Sequence, residues 1–263
     1  MIILNETSWA EDMIRRRDLG THPYETMCRV ARYYIDMGLN KKQAREKLCT
    51  FIERSAPNMS VVSMSSKIDS AVSRALKHKA INIDGIPVTK NEIDIISKIE
   101  GTQSKRLAFT LLCLSKYWNI YNDTNTYWVV DRGNEIMKIA NIKTSGRRQG
   151  KLYSDLRDAG LISFSKKVDN TNVRVNFADE ESEVAMIVPD LVDVGNRYLM
   201  YTGQPFFECQ ECGSITKMDN PSARRAQKYC KQCASKVKAQ QQLEYMRRKR
   251  LKNVEKSEPQ FLA

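Results

Sequence analysis

Long apolar runs are absent from this chain of 263 residues. None approaches the ~18 residues that a membrane-spanning helix needs, so no such helix is expected. Residues 1–5 are too short for the apolar part of a signal peptide, and acidic residues follow them. The chain is therefore expected in the cytoplasm, with no role in a membrane.

Histidine is scarce, and the motifs of several enzyme classes are missing. Two histidines, His22 and His78, lie far from any paired acid. No glycine-rich phosphate loop ending in Lys-Ser or Lys-Thr occurs, and no nucleophile elbow occurs. Residues 179–183 hold four carboxylates without a partner motif, which is typical of a solvated loop. The chain is predicted not to be an enzyme and to have no small-molecule substrate.

Cysteine is present, but in a pattern that does not indicate disulfides. A reducing compartment disfavours disulfides, and three of the seven cysteines lie in apolar helical surroundings as core residues: Cys28, Cys49 and Cys113. The other four form two Cys-x-x-Cys pairs separated by seventeen residues: Cys209, Cys212, Cys230 and Cys233. Two such pairs supply the four thiolates of one tetrahedral zinc ion. Four thiolates leave no open coordination position, so this Zn2+ is predicted to be structural.

The net charge of +12 and the pI near 9.3 predict a polyanionic partner. Nucleic acid is the expected partner, ahead of acidic membrane surfaces. Residues 204–256 contain 13 Lys and Arg against five Asp and Glu, a net charge of +8. Basic charge is therefore concentrated near the C-terminal end.

Residues 6–79 show the apolar spacing of four helices, beginning near Thr7, after Pro23, after Asn40 and near Ser60. This spacing predicts a small antiparallel bundle. Pro23-Tyr24 leading into residues 31–34, and Lys67-Ile68-Asp69, resemble the helical domain that accompanies primases and replication proteins of mobile elements. The resemblance implies a replication context, and a generic helical bundle is the alternative.

Residues 105–177 are predicted to contain a buried helix, a strand, two short helices and a hairpin of two strands, in that order. Ile162, Phe164 and Val168 are expected on one face of the first hairpin strand. The run from Leu156 to Ile162 resembles the end of a recognition helix that enters a wing in bacterial and phage winged-helix proteins. The resemblance implies a winged-helix fold, whose second short helix enters the major groove of DNA. Many winged helices bind proteins instead, which leaves that alternative open.

The residues from Gln204 through the two cysteine pairs resemble the zinc ribbons of phage and mobile-element proteins, in which Cys-x-x-Cys-Gly follows a strand and Tyr-Cys-x-x-Cys opens a basic helix. Gly213 and Tyr229 stand at the matching positions. A basic helix is predicted to follow, from Ala234 to Lys256. The candidate nucleic-acid contacts in the recognition helix, the wing, the ribbon and the tail are Arg147, Arg148, Gln149, Lys151, Ser154, Lys166, Lys167, Arg174, Arg224, Arg225, Arg247, Arg248, Lys249 and Arg250.

The predicted fold is mainly α with small β. The predicted segments are a helical bundle (1–79), a connector helix (80–104), a winged-helix domain (105–180), a packing segment (181–203), a four-cysteine zinc ribbon (204–235) and a basic helix with its tail (236–263). The predicted function is that of a DNA-binding protein of a phage or mobile element, in replication initiation or transcription regulation. Duplex DNA is the expected partner, with replication or transcription proteins as further partners. The alternative is a non-enzymatic adaptor, such as a helicase loader, that uses the winged helix for protein contacts.

Overall fold

The computed structural model describes residues 2–166, 172–222 and 226–257, and the side chains among them up to residue 249. The chain is mainly helical with small sheets, as predicted. In the described residues the helices are α1 (Glu6–Arg16), α2 (Pro23–Asp36), α3 (Lys41–Ser55), α4 (Ser65–Ala75), α5 (Lys90–Ser97), α6 (Thr102–Asn122), α7 (Gly133–Ile139), α8 (Gly146–Asp158), α9 (Val194–Tyr201) and α10 (Lys231–Ser257). The strands are β1 (Ile86–Thr89), β2 (Trp128–Val129), β3 (Ile162–Phe164), β4 (Val173–Val175), β5 (Val184–Val188), β6 (Phe206–Glu208) and β7 (Ile215–Lys217). None of these helices has the length and apolarity that a membrane crossing requires.

The predicted four-helix bundle is present as α1 to α4. Asn40 begins α3 through a capping box, in which its side chain accepts from the backbone N–H of Gln43 and the Gln43 side chain accepts from the N–H of Asn40. Apolar residues at helical spacing are buried between the helices, among them Met27, Leu48 and Ile68. These local signals explain why the bundle could be predicted from the sequence.

The fourth helix is shorter than predicted, because α4 begins at Ser65 and not near Ser60. The hydroxyl of Ser63 donates to the backbone carbonyl of Ser60 at 2.8 Å. Serine side chains that bond to nearby backbone groups favour turns over helix interiors. Residues 61–64 accordingly form turns.

The described chain forms two compact units, each built from three separate stretches. The first unit contains residues 1–98, 112–130 and 160–191, and the second contains residues 99–111, 131–159 and those from 192 onward. The six consecutive segments proposed from the sequence remain a prediction.

The first unit contains a sheet that no sequence pattern indicated. β1 pairs antiparallel with β5, with Ile86 opposite Val188, although these segments were interpreted as a connector and a packing segment. Thr89 ends β1 and begins α5 through a capping box with Glu92. The two strands are far apart in the sequence, so no local pattern indicates that they pair.

The predicted strand and hairpin form a three-stranded antiparallel sheet in the first unit, in the order β2-β4-β3. Ile162 and Val175 face each other across the hairpin and are buried. Phe164 lies two residues from Ile162, and therefore on the same face, opposite Val173. Its side chain is 39% exposed at the end of the short edge strand β3. Val168 lies outside the described residues. Along the chain, the order α6, β2, α7, α8, β3, β4 is the order predicted.

The second unit contains α7, α8, α9, the hairpin β6–β7 and α10. Gly195 in α9 lies against the turn after α7, where a Cβ added to it would stand 2.1 Å from the backbone oxygen of Ala140. Only glycine permits this close approach of two backbones. Phe109 of α6 packs against Tyr198 of α9, with the ring centroids 5.2 Å apart.

Candidate metal centre and nucleic-acid interface

The first cysteine pair is held on a tight turn that follows β6. Gly213, with φ of +69°, donates its N–H to the carbonyl of Cys209 at 2.8 Å. The N–H of Cys209 in turn donates to the carbonyl of Ser214 at 2.9 Å. The left-handed backbone at Gly213 allows the chain to reverse directly after Cys212, which brings both sulfurs to one side.

The second cysteine pair lies at the start of α10. The N–H of Ala234 donates to the carbonyl of Cys230 at 2.8 Å, which fixes the first helical turn around Cys233. The N–H of Cys230 points at the sulfur of Cys209, with the nitrogen 3.3 Å from Sγ. The two pairs therefore face each other through backbone geometry that the hairpin and the helix impose.

The four sulfurs fit one tetrahedral metal ion. All lie within 4.8 Å of one another, and the sulfurs of Cys212 and Cys230 are 3.9 Å apart. Zinc–sulfur bonds of ~2.3 Å place the sulfurs of a tetrahedral site about 3.8 Å apart. Cys209 and Cys233 are buried, so the centre of the cluster is shielded from water on that side. Among the described residues, this is the one group of three or more His, Cys, Asp and Glu side chains arranged to hold a metal.

Two thiols of the cluster differ in how readily they lose a proton. Burial alone would raise the pKa of Cys209, but backbone N–H donors, led by that of Cys230, lower this pKa to about 6. Burial and the neighbouring thiols raise the pKa of Cys233 to about 12. Of these two thiols, Cys209 loses its proton more readily, and a metal must displace the proton held at Cys233.

A polar network fixes the hairpin β6–β7 to the turn between α7 and α8. The side chain of Asn141 donates to one carboxylate oxygen of Asp193 at 2.6 Å, and the other oxygen accepts from the backbone N–H of Ile215 at 3.1 Å. The side chain of Asn196 donates to the carbonyl of Ile215 at 2.7 Å and accepts from Arg106 at 3.1 Å. Both backbone groups of Ile215 are thus held by side chains at the start of α9, so the metal cluster and the α7–α8 pair form a connected structure inside the second unit.

The helix α8 presents the predicted cationic face. Arg147, Arg148 and Lys151 are exposed and have no ion pair among the described residues. Leu152 and Leu156 are buried on an adjacent side of the helix. This amphipathic division leaves the three positive charges available to an external anion.

Two other residues of α8 that were predicted to contact nucleic acid are less available to a ligand. Gln149 is half-buried, on the same side of the helix as Leu152 and Leu156. The hydroxyl of Ser154 accepts a hydrogen bond from Arg157 at 3.4 Å. Of the five residues predicted on this helix, the three cations are therefore the most accessible.

The predicted wing contacts lie in the first unit. Lys166 and Arg174 are exposed, and Arg174 stands opposite Trp128 in the register of β2 and β4. Lys167 lies outside the described residues. The described part of the wing thus presents two positive charges to solvent.

The predicted contacts of the tail lie on α10. Arg247, Arg248 and Lys249 are exposed, and Arg248 lies 3.9 Å from the carboxylate of Glu244, one turn earlier. Arg224 and Arg225 lie outside the described residues, as does the side chain of Arg250. Exposed pairs such as Arg248–Glu244 contribute little to stability, so these charges remain available to phosphate.

A groove that no sequence pattern indicated lies beside α8. It is lined by the three cations of α8 and by residues at the start of α6 and along α8, namely Glu100, Gly101, Thr102, Gln103, Ser104, Ser145, Leu152 and Asp155. No sequence pattern indicated Asp193, Asn141 and Asn196 either, which position the metal cluster. The one local signal for Asn141 and Asp193 is their residue type, since Asn and Asp tolerate the left-handed backbone that both adopt, with φ of 55° and 51°.

Comparison with known proteins adds no family to this geometry. No protein-family model, no curated protein and no solved structure matches the chain.

Proposed function

We propose that this chain is a non-enzymatic nucleic-acid-binding protein whose expected ligand is duplex DNA. The observation that carries the proposal is the exposed face of α8, where Arg147, Arg148 and Lys151 have no ion pair among the described residues. Cations kept without a protein partner on one helix face are suited to phosphates and to guanine edges. The order of α6 to β4 along the chain supports a winged helix in which α8 selects the site and Lys166 and Arg174 of the wing contact the backbone.

The cysteine cluster is proposed to hold one structural Zn2+. Four thiolate donors at tetrahedral spacing suit this ion, and they leave no position for a substrate. When bound, the ion supplies a fixed link between the β6–β7 hairpin and the first turn of α10. Cys209, Cys212, Cys230 and Cys233 would thereby orient the basic helix, whose exposed Arg247, Arg248 and Lys249 are proposed to bind phosphate without reading sequence.

The resemblances in the sequence favour a role in a phage or mobile element, in replication initiation or transcription regulation. The alternative is an adaptor that binds protein through the winged helix. One observation favours a protein contact on α10: Leu243 is 71% exposed and Tyr245 is 64% exposed. Exposed apolar side chains of this size are common at protein interfaces.

The test is fluorescence anisotropy with labelled duplex DNA, single-stranded DNA and RNA at several salt concentrations, after a preferred duplex has been selected from random sequences. The wild type is expected to prefer the selected duplex, with an affinity that falls steeply with salt because each neutralised phosphate releases counterions. The double variant Arg147→Ala/Arg148→Ala is expected to lose this preference. Removing the charges of residues 247–250 is expected to weaken all duplexes equally and to flatten the salt dependence.

A matched control removes two exposed cations from α3, in the variant Lys41→Ala/Lys42→Ala. Its net charge equals that of the α8 variant, so a purely global charge effect would weaken both equally. Equal weakening would contradict the role of α8. Absence of binding to all three nucleic acids at low salt would contradict the whole proposal and would favour the adaptor.

A further inference from the structure

The groove beside α8 also contains the first turn of α6, which begins without a capping side chain. Gly101 precedes α6 with φ of +80°, and glycine has no side chain to accept from the first backbone N–H groups. Among the described residues, no acceptor is bonded to the N–H groups of Thr102, Gln103 or Ser104. Three backbone donors at a helix N-terminus attract an anion through their partial positive charge.

A hydroxyl on a largely buried side chain lines the same groove and has no partner among the described residues. The side chain of Ser104 is only 7% exposed, and its hydroxyl makes no hydrogen bond to the described residues. Gln103 also lines the groove, and its buried amide oxygen has no partner among the described residues. A half-turn of this amide presents its NH2 group instead. The Ser104 hydroxyl is open to the groove and the Gln103 oxygen lacks a partner, so a ligand with donor or acceptor atoms in the groove would satisfy both groups.

The opposite side of the groove supplies positive charge. Arg147, Arg148 and Lys151 of α8 line it, and two exposed carboxylates, Glu100 and Asp155, line it as well. The net charge of the lining is therefore +1. A phosphodiester carries one negative charge, whereas a phosphate monoester carries about −1.5 to −2 at neutral pH. The balance of charge thus favours the internal phosphate of a polynucleotide over a terminal or free phosphate.

We propose that this groove holds one backbone phosphodiester of the bound nucleic acid, between the first turn of α6 and the cations of α8. The phosphate oxygens accept from the backbone N–H groups of residues 102–104, from the Ser104 hydroxyl and from one or more of the α8 cations. This inference rests on the proposed function and adds α6 to the binding surface. It assigns Ser104 a ligand contact that the sequence pattern did not indicate.

The first test places a carboxylate in the groove through Thr102→Glu. Thr102 is exposed at the first position of α6, where an acidic side chain favours the helix, so folding is expected to be preserved. Affinity for the selected duplex at low salt is expected to fall roughly tenfold, and the salt slope to fall by about one phosphate contact. The matched control is Ser66→Glu, which adds the same charge to the exposed first turn of α4 in the first unit. Equal losses in the two variants would overturn the inference.

The second test is Ser104→Ala. Because the hydroxyl has no protein partner, its removal is expected to leave the unfolding temperature unchanged or higher, while affinity falls by roughly two- to fivefold. A lower unfolding temperature with unchanged affinity would show that the hydroxyl is structural and would overturn the assigned contact.

The third test identifies the phosphate itself. In the selected duplex, uncharged methylphosphonate replaces one phosphodiester at a time. At one position the replacement is expected to lower the affinity of the wild type for the duplex. It is not expected to lower the affinity of the Thr102→Glu variant, which has already lost that contact. If wild type binds the duplex but no position behaves in this way, the groove is not the site, and the proposed function still stands. If wild type binds no nucleic acid, both proposals fail. Binding of inorganic phosphate at millimolar concentration, with no binding of any duplex, would indicate a free-phosphate site instead and would overturn the inference.

Discussion

Asn141 donates a hydrogen bond of 2.6 Å to Asp193, and both residues adopt the left-handed backbone conformation. The same carboxylate accepts from the N–H of Ile215 at the start of β7. One aspartate therefore joins the turn after α7 to the hairpin that carries Cys209.

Replacing Asp193 by alanine tests this link. The change leaves the half-buried amide of Asn141 and the N–H of Ile215 without their acceptor, so a loss of roughly 2–3 kcal/mol in unfolding free energy is expected. Urea denaturation followed by circular dichroism measures it. Asp84→Ala, at an exposed site, is the control, and an equal effect there would show that the link contributes nothing.

Gly195→Ala tests the close contact between α9 and Ala140. An added Cβ would lie 2.1 Å from a backbone oxygen, which forces the two segments apart. The expected loss is roughly 1–3 kcal/mol. Gly150→Ala in α8 is the matched control, since nothing lies within 4 Å of its added Cβ, and there a gain of about 0.5–1 kcal/mol is expected. Thermal unfolding measures the stability of both variants. An unchanged unfolding temperature in the Gly195→Ala variant would contradict the close contact.

A buried ion pair joins α6 to α5 in the first unit. The ammonium of Lys116 lies 2.8 Å from the carboxylate of Glu92 and donates to the backbone carbonyls of Pro87 and Asp179 at 2.9 and 3.1 Å. Lys116→Met leaves the Glu92 carboxylate buried and unpaired, so a loss of roughly 3–5 kcal/mol is expected. The double variant Lys116→Met/Glu92→Gln removes both charges and is expected to recover part of the loss in chemical denaturation. No recovery would show that packing, and not the unpaired charge, explains the effect.

Metal removal is expected to unfold the cysteine hairpin and the first turn of α10. One zinc per chain is expected by elemental analysis, and Cys209→Ser is expected to abolish it because three thiolates bind the ion far more weakly. Cys49→Ser, which changes a half-buried cysteine of the bundle, is expected to retain the metal. A wild type that carries no metal after purification without chelators would contradict the assignment.

Stability is expected to decline at alkaline pH because of Tyr153. Burial, followed by the nearby charge of Asp131, raises the pKa of Tyr153 to about 12. An unfolded tyrosine ionises near pH 10, so this group favours the folded state fully below about pH 10 and loses that contribution as pH rises towards 12. Tyr153→Phe is expected to flatten the decline in unfolding free energy between these values. Tyr245→Phe, at an exposed site, should leave it unchanged, and identical profiles for all three proteins would contradict the expectation.

The parts predicted well from sequence depend on short-range signals. The pair Asn40 and Gln43 predicts a helix start, and the spacing of the cysteine pairs predicts the cluster of four sulfurs. The bundle helices and the hairpin of β3 and β4 follow from apolar periodicity.

The parts that were missed depend on residues distant in sequence. Ile86 gives no sign that it will pair with Val188, and the buried ion pair of Lys116 depends on a helix and a capping box that meet only in the folded chain. The groove at Ser104 likewise arises because two helix starts lie side by side. Local sequence patterns do not indicate contacts between residues that are distant in the sequence. A polar residue among apolar neighbours likewise does not show which residue it will pair with in the folded chain.

The division of each compact unit into three stretches affects how the protein is made. The chain passes from one unit to the other five times between residues 98 and 192. On the ribosome, β1 remains without its partner strand until residue 188 has emerged, and the sulfur cluster remains incomplete until Cys233 has emerged. Neither unit therefore completes its folding early in translation, and both remain exposed to proteases and to aggregation until the last third of synthesis.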